Sequence, residues 1–260
     1  MEEIQLDFKD ATSVPPDPDG KQQHVVEICN FVDAGTSTWL MAEARSDFHA
    51  ETALETVVQF LIHSGCPPRL TFDRDTRWVG SYGLRHFPSA FCRFLLCLGI
   101  QPHICPPRRP DKNAYVERLH RTLNQECLQI HLPSTLGEVR EATKSFLWHY
   151  NQQRPHQGST CKNRPPAVAF PHLPPLRQLP KRVDPDGWLR AIDGTSYVRR
   201  VGSDGCVNGD LEPYYIGKQW DGEYVTLHVN AFLRSFSVWH ATVKTQNASH
   251  QESGGAYPLA

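Results

Sequence analysis

The sequence predicts an α/β fold, a mixed sheet with helices on its faces, followed by a small C-terminal antiparallel unit of β-barrel-like type. Three observations carry that expectation. Up to about residue 150, short apolar strand patterns come first and then alternate with helical ones. Prolines at 155, 165, 166, 171, 174, 175, 180 and 185 then make a stretch suited to a semi-rigid strap rather than to a helix or central strand. Beyond it, Asp204-Gly205, Asn208-Gly209 and Asp221-Gly222 mark turns between short alternating runs. The expected division is an α/β block over 1–150, a strap over 151–185, a small barrel over 186–245 and a flexible tail over 246–260.

The elements follow in order. Ile4, Leu6 and Phe8 alternate with Gln5, Asp7 and Lys9, the pattern of a half-buried strand. Asp17-Pro18-Asp19-Gly20 reads as a turn. Val25 to Val32 and Trp39 to Ala42 are the next two strands, joined at Asp33-Ala34-Gly35. Ser46 or Asp47 is placed to cap a helix running to about His63, with Leu54, Val57, Val58, Leu61 and Ile62 on one face and Gly65 at its end. Leu70 to Phe72 is a short strand, Ala90 to Leu98 an apolar helix and Ile100 to Ile104 another strand. A long helix is expected from about Asn113 to Ile130, its buried stripe made by Val116, Leu119, Leu123, Cys127 and Ile130. A last helix spans Ser134 to Tyr150.

Composition narrows the function. Hydrophobic residues make up 39% and charged residues 21% of the 260, an ordinary globular balance. Lys+Arg number 27 against 28 Asp+Glu, a net charge of −1, so any contact with nucleic acid rests on a local basic patch. No apolar run is long enough for a membrane span, and the first residues lack a signal-peptide pattern, so the expectation is a soluble cytoplasmic protein without a membrane partner. The 8 cysteines contain no Cys-x-x-Cys, which argues for buried free thiols over a zinc site or a disulfide scaffold.

Three carboxylates stand out. Alternation turns Asp7 to the face opposite Leu6 and Phe8; Asp73 ends a strand; Glu117 lies one turn into the long helix. Each also has an ordinary reading, as a solvent-facing strand residue, a turn residue, or a helix residue paired with Arg121 at i+4. Their neighbours change the balance. Arg108, Arg109, Lys112, Arg118 and Arg121 form the densest positive cluster in the chain, and Glu117, Arg121, Asn124 and Leu128 share one helix face. Phosphate contact is what such a cluster does best, whereas a solvated basic loop is the bland alternative.

At this point four segments together resemble a known family. Leu6-Asp7-Phe8-Lys9-Asp10, Leu70-Thr71-Phe72-Asp73-Arg74-Asp75, Pro107 to Leu123 with Asp111-Lys112-Asn113-Ala114-Tyr115-Val116-Glu117-Arg118 at its centre, and Tyr150-Asn151-Gln152-Gln153-Arg154-Pro155-His156 are similar, in family order, to the motifs of the DDE integrase core. That family comprises bacterial insertion-sequence transposases and retroviral integrases. The resemblance continues through Pro165-Pro166-Ala167-Val168-Ala169-Phe170-Pro171 and covers about two thirds of the chain. It implies an RNase H-like fold with Asp7, Asp73 and Glu117 as the catalytic, metal-binding triad. Asp10 and Asp75 are rivals for the first and second positions. It further implies two Mg²⁺ (or Mn²⁺) ions, hard cations suited to carboxylate oxygens. The implied partners are DNA, as transposon ends and target duplex, and further copies of the chain assembled on that DNA in the nucleoid. Arg108, Arg109, Lys112, Arg118, Arg121 and Asn124 are the expected DNA contacts. Arg154 and His156 either pack the last core helix or touch DNA, and packing is the expected role because the prolines fix the strap against the core.

Two departures matter. Arg74-Asp75 follows the second aspartate where many members have Asn-Gly. The helical DNA-end-reading domain that members carry before the first aspartate is also expected to be absent, since only six residues precede Asp7. The implied activity is metal-dependent phosphodiester cleavage and strand transfer. The alternatives are a truncated or domesticated DNA-binding module without catalysis, and an RNase H-like nuclease acting on RNA–DNA hybrids.

Overall fold

The computed structural model describes residues 1–14, 24–80, 87–107, 110–209, 212–240 and 243–248; the expected Asp17–Gly20 turn lies outside them. The chain divides into two compact units, Met1–Trp78 with Gly99–Lys181, and Val79–Leu98 with Arg182–Ala260.

The first unit is built on a five-stranded mixed sheet. Strand β1 (Glu3–Val14) pairs antiparallel with β2 (His24–Asp33), which pairs with β3 (Trp39–Arg45). On its other side β1 runs parallel to β4 (Arg69–Phe72), and β4 parallel to β5 (Gln101–Ile104), giving the order β3-β2-β1-β4-β5. Period-two alternation sorts β1 cleanly: Ile4 and Leu6 are fully buried on one face, with Gln5 and Asp7 on the other. Phe31, opposite Leu6 in the register, stacks on Phe60 of helix α1 (Ala50–Ser64) at 4.4 Å. The helix starts a turn later than Ser46 or Asp47 would set it, because the Thr52 hydroxyl accepts the His49 N–H at 3.0 Å. Its buried face is Thr52, Ala53, Thr56, Val57, Phe60 and Leu61, with Ile62 exposed.

Helix α2 (Thr76–Val79) is a single turn after β4, and α3 (Ala90–Cys97) precedes β5. The sheet face that carries Gln5 and Asp7 is covered by α4 (Ala114–Leu123) and α6 (Leu136–Gln152), which share one apolar cluster with Val26, Ile28, Val32 and Trp39. Between them, Asn124–Leu128 is a π-helical turn leading into the short α5 (Gln129–His131). That turn corrects the expected stripe. Val116, Leu119, Leu123 and Cys127 are fully buried, but the wide turn advances the register, so Leu128 goes inside and Ile130 is left 66% exposed.

The proline-rich segment folds back onto this unit. His156 pairs with Arg164 and Arg177 with Cys66 as isolated bridges, and the Cys161 thiol lies 3.3 Å from the Thr36 carbonyl. Arg154 grips Glu126 through two hydrogen bonds of 2.7 and 2.6 Å, and His156 meets the Tyr150 ring edge-on at 4.4 Å, the packing role expected of both. Contrary to expectation the strap holds one helical turn, α7 (Pro166–Ala169). Pro166 opens it, at the position where a missing N–H costs nothing.

In the second unit, residues 79–98 cluster with the C-terminal block rather than with 1–150. The Phe87 ring lies 5.9 Å from Trp188, 5.1 Å from Tyr197 and 6.0 Å from Phe236, and Leu96 and Cys97 pack on the same cluster. After helix α8 (Gly187–Ala191) come β6 (Ser196–Arg200), β7 (Cys206–Gly209), β8 (Glu212–Tyr215), β9 (Tyr224–Asn230), β10 (Ser235–His240) and β11 (Val243–Ala248). They form a four-stranded antiparallel sheet, β11-β10-β9-β6, and a separate β7–β8 ladder. Among the described residues no pairing closes these into one barrel, and β11 extends into the stretch expected to be tail. Tyr214 packs on Phe236 and Arg234 pairs with Asp186, while Tyr215 is 60% exposed.

Gly65 is the most constrained position of the first unit. It sits at φ +95°, and a Cβ there would meet the Arg177 carbonyl oxygen at 2.8 Å and Leu176 Cβ at 2.9 Å. Gly65→Ala is therefore expected to destabilise the protein by about 2 kcal/mol or more, read as a lower urea midpoint at unchanged m-value.

Candidate active site

Register brings the first two acids together. Leu6 is opposite Phe72 in the parallel β1–β4 pair, so the next residues come side by side: Asp7, within β1, and Asp73, the first residue past the carboxyl end of β4. Crevices outside the carboxyl ends of parallel strands are where α/β sheets build sites. Asp7 Oδ1 accepts the Phe8 N–H at 2.9 Å, and Asp73 Oδ1 accepts the Asp75 N–H at 3.0 Å, which fixes both side chains locally.

The third acid is brought in by a buried side chain that the sequence did not single out. Gln5 is 3% exposed and shares the Asp7 face of β1. Its Oε1 accepts the N–H groups of Tyr115 (2.9 Å) and Val116 (3.3 Å), and its Nε2 donates to the Lys112 carbonyl at 3.2 Å. One amide thereby satisfies two of the N–H groups left open at the start of α4 and ties that helix start to the strand carrying Asp7. Glu117 follows one residue after Val116, exposed, and among the described residues no ion pair joins it to Arg121. His120, one turn further and on the same helix face, brings Nδ1 to 3.8 Å from Asp7 Oδ2.

Electrostatics confirm that these groups feel one another. The Asp7 carboxyl is pushed up from 3.8 to about 8, first by burial and then by repulsion from Asp73 and Glu117, against a small opposing effect of the Phe8 N–H. Asp73 is also raised, mainly by burial. Burial drives His120 down to about 3, with Lys9 adding to the shift, so its approach to Asp7 is a contact of a neutral imidazole and not an ion pair.

The rival acids fall elsewhere. Asp10 is exposed beside a β-bulge. Asp75 is clamped by Arg77, whose guanidinium reaches it at 2.9 and 2.6 Å and reaches Glu27 at 2.8 and 3.0 Å while lying 3.7 Å over the Phe8 ring. Burial pushes Asp75 up, but the hydrogen bonds from Arg77 outweigh it and hold the carboxyl below its ordinary value. Of the basic cluster, Arg108 and Arg109 lie outside the described residues. Lys112, Arg118 and Arg121 are exposed, and Asn124 is half-buried where α4 passes into the π turn. No three His, Cys, Asp or Glu side chains among the described residues stand at metal-holding distance from one another, and none of the described helices is long and apolar enough to cross a membrane.

Residues 98–166, which contain Glu117, His120 and the basic face, match the family model described as "Integrase core domain". That stretch is similar to an integrase core. The chain is related in sequence to insertion-element proteins. It is 38% identical over 69 residues to the insertion element IS476 uncharacterized 39.2 kDa protein of Xanthomonas euvesicatoria, covering 26% of this chain and 19% of that protein. It is 29% identical over 117 residues to the insertion element IS407 uncharacterized 31.7 kDa protein of Burkholderia multivorans, 42% of each. The chain spans less than half the length of these relatives. Among solved structures, similar chains occur in a simian T-cell lymphotropic virus intasome in complex with PP2A regulatory subunit B56 gamma (TM-score 0.46, 15% identity, 87% of this chain and 71% of that one). Another is the HTLV-2 integrase catalytic core domain in complex with magnesium (TM-score 0.44, 14% identity, 65% and 95%).

The shift on Asp7 has a definite sign. The folded protein keeps a proton on Asp7 that the unfolded chain releases near pH 4, so it loses stability as pH rises from about 4 to about 8. Asp7→Asn should flatten that slope and raise Tm at pH 8 by roughly 5 °C. Thermal melts between pH 5 and 8.5 check this, and identical slopes for the two proteins would place Asp7 in ordinary solvent.

Proposed function

We propose that the protein is a DNA transposase or integrase that cleaves phosphodiester bonds and joins a 3′-OH strand end to target DNA in a divalent-cation-dependent reaction. The observation that carries the reading is the influence of Asp73 and Glu117 on Asp7, the three coming from two neighbouring parallel strands and one helix, in a chain whose residues 98–166 match an integrase-core model.

The three carboxylates suit Mg²⁺ or Mn²⁺ in chemistry: they are hard oxygen donors, and burial first, then the charges of Asp73 and Glu117, disfavour an ionised Asp7 without a cation. Asp7, Asp73 and Glu117 are the residues that would hold the ions, two on this reading. Bound there, divalent cations supply stabilisation of charge on the attacking and leaving oxygens of an in-line displacement. The chain's own contribution is placement. Gln5 sets the distance between the Asp7 strand and the Glu117 helix, and Arg77 removes Asp75 from competition. Lys112, Arg118, Arg121 and Asn124, with Arg108 and Arg109 upstream, lie on or lead into the Glu117 helix, where a DNA backbone entering the pocket meets them. On this reading the antiparallel unit that follows is a barrel-like accessory module, and copies of the chain assemble on transposon ends and target duplex.

The test supplies short 3′-OH duplexes and a supercoiled plasmid with Mn²⁺ or Mg²⁺ and measures joined product. Wild type should join strands, and Asp7→Asn, Asp73→Asn and Glu117→Gln should each reduce product by at least a hundredfold while still binding DNA. DNA binding by wild type without any cation-dependent cleavage or joining would instead favour the non-catalytic module.

Arg121→Ala should weaken DNA binding by a similar factor for all sequences and lower the slope of log Kobs against log salt by about one. Fluorescence anisotropy across a salt series reads this, and an unchanged slope removes Arg121 from the interface.

A further inference from the structure

Asp7 has a cross-strand partner on the same sheet face: Asn30 of β2 lies directly opposite it in the antiparallel register. Asn30 is fully buried. Its Nδ2 donates to two acceptors, the Ile28 carbonyl at 3.1 Å and the His120 Nε2 at 3.1 Å. An amide NH₂ has two hydrogens and no lone pair to offer, so two acceptors at Nδ2 fix both the amide orientation and the imidazole tautomer. Nε2 of His120 must be the unprotonated nitrogen, and the hydrogen must sit on Nδ1, the nitrogen 3.8 Å from Asp7 Oδ2.

We infer that Asn30 and His120 form a positioning pair for Asp7, in which Asn30 locks the imidazole so that Nδ1–H is presented to Oδ2 and the carboxylate is held in the orientation that binds a divalent cation. The inference rests on the reading of the acid trio as a cation site. It gives Asp7 one formed donor, the Phe8 N–H on Oδ1, and one poised donor, the imidazole N–H facing Oδ2, which would leave one further lone pair on each oxygen for a cation. The 3.8 Å separation is longer than a formed hydrogen bond; polar contacts of this kind often tighten only when a site is loaded. A neutral donor suits the position better than lysine or arginine, because it orients the carboxylate without supplying the charge that the cation supplies. The helix makes the arrangement economical, since Glu117 and His120 are three residues apart on one face of α4, a ligand and the orienter of a second ligand on consecutive positions of one ridge.

The experiment measures Mn²⁺ binding to the full chain by calorimetry in wild type, His120→Leu, His120→Asn and Asp7→Asn. Alongside it, ¹⁵N chemical shifts of the His120 ring are recorded in wild type. The expected results are a protonated Nδ1, Mn²⁺ affinity lowered about tenfold or more in His120→Leu, and affinity within about threefold of wild type in His120→Asn, whose amide nitrogen takes the place of Nδ1. A proton on Nε2 overturns the inference without any variant, so it stays testable if His120→Leu fails to fold. Wild-type affinity in a folded His120→Leu, with binding lost in Asp7→Asn, refutes the His120 role alone. Unchanged binding in Asp7→Asn refutes the cation site itself and the His120 role with it.

Discussion

The constraint on which the site depends is the in-register pairing of β1 and β4, which sets Asp7 beside the strand-end Asp73, whose charge raises the Asp7 carboxyl. For a folded chain this is unfavourable. Asp7 is partly buried, faces Asp73 and Glu117, and resolves the conflict by keeping its proton to about pH 8. A protein of net charge −1 has no shortage of exposed positions for acids, so concentrating three at one end of a sheet is a departure from what stability alone favours.

The residues around the acids keep that tension local. Arg77 pairs with both Asp75 and Glu27, and its charge works against the repulsion that Asp75 adds at Asp73. Gln5 ties α4 to β1 from beneath, and the shared apolar cluster of Val116, Leu119, Leu123 and Cys127 with Ile28, Val32 and Trp39 holds the helix down along its length. Glu117 is therefore carried on an element fixed at its first turn by hydrogen bonds and beyond it by packing. Its charge remains exposed for whatever enters the pocket.

Most of the strands and the main helices were legible because period-two and period-3.6 patterns are local properties of the sequence. Asp7 opposite Leu6 and Phe8, Asp73 at a strand end and Glu117 one turn into a helix all follow from such patterns. What escaped was determined by neighbours distant in the chain. Gln5 looked like one more polar strand position, and its importance comes from residues 107 to 111 positions away. Asn30 and His120 gave no signal, since a buried asparagine within an apolar strand and a histidine on a helix are ordinary until they face each other. The π turn at Asn124–Leu128 hid in a sequence that reads as continuous helix, and exchanged Ile130 for Leu128 in the core. Residues 79–98 were assigned to the first block on continuity, whereas Phe87 draws its partners from Trp188, Tyr197 and Phe236.

The most direct check on the central claim is a carbon-detected NMR titration of the Asp7 carboxyl, run with and without Mg²⁺. A crowded three-acid pocket predicts a midpoint near 8 in the absence of the cation and a fall into the ordinary carboxylate range when Mg²⁺ is added. A midpoint near 4 under both conditions would contradict it, because the three acids would then be neither close to one another nor shared by a metal ion.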